Sequence, residues 1–288
     1  MNEKQYKFSF SKIATYLQCP KMYELQCIKN LIEFKENIYT TFGGAIHKAI
    51  ELSILKKYDF DETYIVFQKE FKDRFKLIDP RESQLIFINE WFTKGKEILK
   101  YYFENYYNQI KEGKLEILGV EKYFSYEIKP NVFYNGIIDI LCKSKEEFTE
   151  KKQIPTIKTS QFGKERKVLQ TIINNNYKTV YKIMDWKTGS VKKDTLQLLS
   201  YTIPMFFLDN ILIDEIEYVY LKHGRQVKEK INIDKINEIK ARLISIINSI
   251  ITDTENNTFE MCLDKKICKY CNVKKYCDEE FESSLDSK

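Results

Sequence analysis

The chain has 288 residues, 43% of them hydrophobic and 31% charged, with a net charge of +5. That apolar fraction supports a substantial core and excludes global disorder, and the mild basic excess suits a polyanionic partner without identifying one. The polar opening Met1-Asn2-Glu3-Lys4-Gln5 lacks a secretory pattern, and no run approaches the ~18 apolar residues that cross a bilayer, so a cytoplasmic protein with no membrane partner is expected.

Ser11 is read as the N-cap of a short helix through Ile13, Ala14 and Leu17, and Pro20 suits the first turn of a following helix. Ile46, Ala49, Ile50 and Ile54 form the apolar face of a helix over 42–57. The helical pattern of 61–112 splits at Pro80, and its second part, Trp91 through Tyr107, is crowded with aromatics. Strands are predicted over Glu116–Ile128 and Val132–Leu141, joined by a turn at Pro130, and over Val180–Trp186. A helix over Thr195–Leu208 follows. Then come paired strands at Glu215–Leu221 and Gln226–Ile233, which turn at Gly224, and a helix over Lys235–Ile251. Residues 145–179 begin rich in Lys and Glu and are read as an insertion between neighbouring strands, partly helical around Val168–Ile173. The polar end, Glu279–Lys288, is expected to fray.

Asp185 and Lys187 are two apart on a strand and therefore share a face. Asp139 lies on another apolar strand between Ile138 and Ile140, both expected to turn to the opposite face. If these strands are neighbours, two carboxylates and an ammonium converge. Such hard oxygen ligands suit Mg²⁺ or Mn²⁺, which polarises a phosphate and lowers the pKa of bound water. Lys187 would position or help deprotonate that water, or stabilise the transition state. The bland alternative is a charge pair at a strand end before the Thr188-Gly189 turn. His47 and Glu51 share a helix face; an imidazole beside two carboxylates shifts preference toward Mn²⁺, while Glu51 is expected outside the ligand set. Gln197 and Tyr201 also share a face and can hydrogen-bond phosphates or the site backbone.

Seven cysteines in a reducing compartment read as metal ligands or small core residues rather than as disulfides. Cys27 and Cys142 suit a core. Cys268, Cys271 and Cys277 are spaced C-x₂-C-x₅-C. With the remote Cys19 of Leu17-Gln18-Cys19-Pro20 they would staple the chain ends together. A purely local set of Cys262, Cys268, Cys271 and Cys277 is the alternative. Only Cys268 and Cys271 form the short knuckle that zinc sites of four thiols usually show twice. Trp91-Phe92, Tyr101-Tyr102-Phe103 and Tyr106-Tyr107 either build core or stack on unpaired bases.

Gly43-x₃-His47, Gly136-x₂-Asp139, Asp185-x-Lys187 and Gln197-x₃-Tyr201, in this order, resemble the successive motifs of RecB-type nucleases in the PD-(D/E)XK superfamily. Cys19 with Cys268, Cys271 and Cys277 resembles its iron–sulfur subgroup, which includes the AddB nuclease domain and the CRISPR-associated RecB-like exonucleases. The resemblance runs from Phe8 to Cys277. It implies an α/β fold, a restriction-endonuclease-like mixed sheet flanked by helices. In that plan 8–112 is mainly helical, 113–257 is the nuclease core with its 145–179 insertion, and 258–278 is the staple closed by Cys19. His47, Asp139 and Asp185 would hold Mg²⁺ or Mn²⁺, Lys187 would be the catalytic lysine, and Gln197 and Tyr201 would support the site and the DNA. Four thiolates suit a [4Fe–4S] cluster, with Cys262 a spectator because the family places its fourth ligand at Cys19. Position 185 carries Asp where the family often has Glu, and the link between Asp139 and Asp185 is longer than usual. The implied activity is a DNase, an exonuclease preferring single-stranded ends, in DNA repair, recombination or CRISPR spacer acquisition. Two alternatives are a DNA-end-binding subunit of a larger complex and a zinc-stapled regulatory module.

Overall fold

The structure, a computed structural model, describes residues 4–32, 35–84, 86–159, 165–191, 194–262, 264–269 and 271–278. Strand β1 (Tyr6–Ser9) leads into helix α1 (Phe10–Gln18), which is capped by Ser9 rather than Ser11. Helix α2 (Pro20–Tyr23) has Pro20 in its first turn and continues into a π-helical turn, Glu24–Ile28. Helix α3 (Ile38–Lys56) starts four residues earlier than the apolar periodicity implied, because Asn37 and Thr40 form a capping box. The 61–112 region resolves into α4 (Phe60–Phe75), α5 (Pro80–Ser83), α6 (Ile88–Tyr102), a π-helical turn at Phe103–Tyr107 and α7 (Asn108–Lys111), with Pro80 opening α5. The sheet strands are β2 (Leu115–Lys129), β3 (Val132–Thr159), β4 (Glu165–Lys187), β5 (Glu215–Tyr220) and β6 (Arg225–Lys230). Helix α8 (Leu196–Phe207) joins β4 to β5, and α9 (Ile233–Asn256) and α10 (Lys265–Lys269) follow.

Together these strands form one mixed sheet. Along one edge β3 carries β2, antiparallel. On its other edge it pairs first with β1, parallel from Tyr6↔Val132 to Ser9↔Asn135, and then with β4, antiparallel from Ile140↔Met184. Strands β4 and β5 are parallel, as the intervening α8 crossover requires. The β5–β6 turn uses Gly224 at φ +58.

Residues 145–179 depart from expectation. No helix forms around Val168–Ile173; β3 and β4 simply continue, rung by rung, to Thr159↔Glu165. The run Thr171-Ile172-Ile173 is β-branched, and such side chains favour extended backbone over a helix. The long link between the two aspartates is therefore an elongated hairpin that leaves its base in register. The end, 279–288, lies outside the described residues.

Each sheet face is covered by helices. One core joins Ile13 of α1, Leu199 and Ile203 of α8 and Ile239, Leu243 and Ile247 of α9 to sheet residues including Tyr134, Ile183 and Ile216. The other joins Ile46 and Ile50 of α3, Phe67 and Phe71 of α4 and Leu99 of α6 to Met184, Trp186 and Val219. Along β3 the alternation changes phase at Asp139: Val132, Tyr134 and Ile138 belong to the first core, but Ile140 and Cys142 to the second. The expectation that Ile138 and Ile140 share a face is thus overturned. Strand β2 rolls over at the same level, between Val120 and Phe124, where Glu121 has φ +47. A non-glycine residue in the left-handed region within a strand is sterically costly and reverses the pleat locally.

Candidate active site

At that rollover the predicted residues meet. Because Ile140 pairs with Met184, Asp139 is level with Asp185 on the neighbouring strand. Oδ2 of Asp139 accepts the Trp186 N–H at 3.3 Å and lies 3.2 Å from Nδ1 of His47. Asp185 is only 3% exposed. Its Oδ2 is 2.5 Å from Nζ of Lys187, and its buried Oδ1 has no hydrogen-bond partner among the described residues. The Lys187 ammonium also sits over the Tyr218 ring, 5.1 Å from the centroid, which restricts its position.

The motif glycines have steric reasons. A Cβ at Gly43 would come within 3.2 Å of Thr188 Oγ1, so its absence lets α3 bring His47 against the end of β4. At Gly136 a Cβ would stand 2.6 Å from the Phe124 ring and 3.0 Å from the Tyr201 ring. The bare backbone there admits Tyr201, whose Oη accepts from Nε2 of Gln197 at 3.1 Å. Burial and the charges of Asp185 and Asp139 raise the Tyr201 hydroxyl above its ordinary pKa, against the opposing bond from Gln197. His47 with Asp139 and Asp185 with Lys187 are thus in direct contact, and the Gln197–Tyr201 pair lies near enough for Tyr201 to feel both aspartates. Glu51, expected outside the ligand set, is ion-paired to Lys48 at 2.8 Å.

One acidic group was not singled out from the sequence. Glu121, brought level with Asp139 by the β2–β3 pairing, offers a carboxylate oxygen within 4.8 Å of ligand atoms of both His47 and Asp139. A charge closing the run Ile117-Leu118-Gly119-Val120 was the available signal, but only the pairing shows which way it points. The Glu121 carboxyl is raised by partial burial and by Asp139.

The electrostatics are those of a site with surplus negative charge. Burial and the neighbouring Asp139 push the Asp185 carboxyl well above the usual range. For Asp139 burial pulls the same way, but the hydrogen bond and positive charge of His47 outweigh it and hold the carboxyl low. Burial alone would lower the His47 imidazole; Asp139 and Asp185 reverse this and raise it to about 9. Two carboxylates, a third at the rim and an imidazole converge beside a buried oxygen without a partner. This donor set fits a divalent cation that takes oxygen and nitrogen ligands. A cavity of about 370 Å³, lined by His47, Glu121 and Asp139 with Lys48 and Arg74, opens the site to solvent.

A second cluster gathers thiols from both ends of the chain. Cys19 caps α2 through its Sγ, which accepts the Met22 N–H and also the Cys262 N–H, each at 3.4 Å. Cys19, Cys262, Cys271 and Cys277 pack around Leu25 and Val273, and the Cys268 thiol lies 3.5 Å from the Cys262 carbonyl. Burial and the charges of Cys262, Cys19 and Cys271 push the Cys268 thiol up. Cys19 thus joins the tail cysteines, as expected, while Cys262 lies among them rather than apart. Cys142 is fully buried and Cys27 packs on the first core.

The chain matches the model of the PD-(D/E)XK nuclease superfamily over residues 7–168 and belongs to that superfamily. The match spans the Gly43, His47, Gly136 and Asp139 positions and ends before Asp185 and Lys187, which the β3–β4 pairing brings to the same place. A search of curated proteins gives no significant match. Membership implies a nuclease that hydrolyses phosphodiesters of DNA with divalent metal. Among the described residues no helix is long and apolar enough to cross a membrane.

Proposed function

We propose that the protein is a Mg²⁺- or Mn²⁺-dependent deoxyribonuclease that trims single-stranded ends, with one nuclease domain spanning the chain. His47, Asp139 and Asp185 hold the metal, and Glu121 completes the set from the rim. The observation that carries this reading is the buried, unpartnered Oδ1 of Asp185 beside Asp139, His47 and Lys187. When bound, the divalent ion polarises the scissile phosphate and offsets its growing negative charge. Lys187, ion-paired to Asp185, would donate a hydrogen bond to a non-bridging oxygen as water attacks phosphorus and gives up a proton to solvent, while the P–O bond to the leaving sugar breaks and that oxygen takes a proton from solvent. Gln197 and Tyr201 hold the adjacent phosphate. The imidazole nitrogen favours Mn²⁺ over Mg²⁺. Preference for ends rests on the resemblance to RecB-like exonucleases, activities that serve DNA repair, recombination or spacer acquisition.

Cys19, Cys268, Cys271 and Cys277 hold a [4Fe–4S] cluster that ties the N-terminal helices to the tail. Gathering of thiols from both chain ends supports this role, and the Cys262 N–H donates to a ligand sulfur. Anaerobic purification with iron, sulfide and zinc analysis tests it; zinc without labile sulfide refutes the cluster.

The nuclease reading is tested with end-labelled single-stranded and duplex DNA blocked at either the 5′ or the 3′ end. Wild-type protein releases nucleotides with Mn²⁺, whereas Asp185→Ala and Lys187→Ala fall by about 10²-fold or more. Equal release by all three refutes it. Tight binding without turnover in any divalent metal assigns an end-binding subunit instead.

A further inference from the structure

A cavity of about 900 Å³ lies beside the active site, on the other side of the junction between α3 and the end of β4. The two share a wall. Gly43 lines the active-site cavity and packs against Thr188, and Thr188 with Gly189 lines this larger one. Thr188 immediately follows Lys187, so the cavity begins within about 10 Å of strand from Asp185.

Its lining combines aromatic faces with cations. Tyr39 projects from the first turn of α3 at 75% exposure and touches the edge of Trp91, ring centroids 5.8 Å apart. Lys94 stands 4.6 Å over the Trp91 ring. Across the cavity, the Gly224 turn hugs Tyr101 and presents the exposed Lys222 and His223. Glu97 is the acidic side chain in this lining. A three-quarters exposed tyrosine contributes little to the core, and aromatic rings among lysines match a strand whose bases are unpaired and whose backbone is anionic.

We propose that this groove seats the unpaired bases of the DNA strand that enters the metal site, with Tyr39 as a stacking platform and Lys94 and Lys222 on its phosphates. This deepens the nuclease reading and rests on it, yet it predicts binding that needs no metal. A duplex cannot offer base faces here, so the groove also accounts for a single-strand preference.

The test uses the full chain with chelator present and an oligothymidylate about twelve nucleotides long. Trp91 is half-buried beside Tyr39, and Trp186, the chain's other tryptophan, is 2% exposed, so stacking is read as quenching of tryptophan fluorescence. An abasic strand of equal length and charge is the control. Tyr39→Ala is expected to weaken the oligothymidylate about fivefold or more, to change the abasic strand less than about twofold, and to be rescued by Tyr39→Phe. Lys222→Ala should weaken both strands alike and reduce the salt slope by about 0.7. The proposal is overturned if Tyr39→Ala binds oligothymidylate like wild type, or if it loses both strands equally. A blunt duplex that competes as well as the single strand also overturns it, as does sedimentation that shows a dimer dissolved by Tyr39→Ala. Failure of wild-type cleavage with Mn²⁺ refutes the nuclease reading while leaving metal-free binding as its own result.

Discussion

Asp185→Asn should stabilise the metal-free protein while abolishing its response to metal. The carboxylate is 3% exposed, Oδ1 lacks a partner, and Asp139 is a like-charged neighbour. A buried acceptor left unsatisfied costs about 1–3 kcal/mol. The ion pair to Lys187, whose side chain is 34% exposed, offsets less than about 1 kcal/mol of that. An amide removes the repulsion and can donate to Asp139, for a net gain of about 1–2 kcal/mol, or about 2–8 °C in Tm for a chain of this size. The sign with pH follows from the raised carboxyl. Ionisation of Asp185 opposes folding, and the penalty grows as pH rises above the unfolded value of about 4, so the variant's advantage widens from pH 5 to pH 8. Mn²⁺ at about a hundredfold over its Kd adds about 2.7 kcal/mol to wild type and little to a variant lacking a ligand, so the order of melting inverts. Scanning fluorimetry with chelator and with Mn²⁺ reads both effects. A variant that melts below wild type at every pH without metal would refute the reasoning, and so would equal stabilisation of both proteins by Mn²⁺.

Other changes probe the surroundings of the site. Gly136→Ala drives a methyl into the Phe124 and Tyr201 rings, so thermal melting should show a loss of about 1–3 kcal/mol, with a larger loss of cleavage as Tyr201 is displaced. Cys268→Ala should lose the brown colour and iron. The Tyr16–Asp253 bond at 2.6 Å and the Lys21–Glu260 backbone bond at 3.0 Å still link the chain ends, so hydrogen exchange should rise in α1, α2 and the tail while the sheet stays protected. Lys182 is buried between Glu146 at 2.7 Å and Glu215 at 3.2 Å, and Lys182→Met should cost about 1–3 kcal/mol in urea unfolding at pH 7. Hydrogen bonding to Lys182 holds the Glu146 carboxyl low, so that contribution is fully present above pH of about 4.5 and is lost as pH falls below it through the lowered folded value, and the gap between wild type and variant should narrow on acidification.

Much of the site was legible from spacing alone. Asp185-x-Lys187 lies on one strand, His47 one turn beyond Gly43, and Gln197 one turn before Tyr201, and each local periodicity survived folding. The meeting of Asp139 with Asp185 required only that their strands be neighbours, which they are. Less was legible where long-range pairing decides. Strand β1 spans four residues and exists because β3 offers it an edge, a fact invisible in Tyr6–Ser9. Lys and Glu at the start of 145–179 suggested a detached insertion, yet the backbone pairing of β3 with β4 continues through it to Thr159↔Glu165. Glu121 could not be read as part of the site because its left-handed backbone arises from the pairing around it. Nor does the motif spacing show that the Cys262 backbone N–H turns back to donate to Cys19 Sγ.

In a regular pleated sheet, helices packed on opposite faces are kept apart by the sheet itself, and stacked layers lie about 10 Å from one another. The half-turn shared by β2 and β3 opens a seam through that partition. His47 arrives from the α3 layer to touch Asp139, and Tyr201 from the α8 layer stands close enough to feel the charges of Asp139 and Asp185. The proposed centre thus draws on both halves of the molecule, and loosening either helical layer would displace one of its side chains.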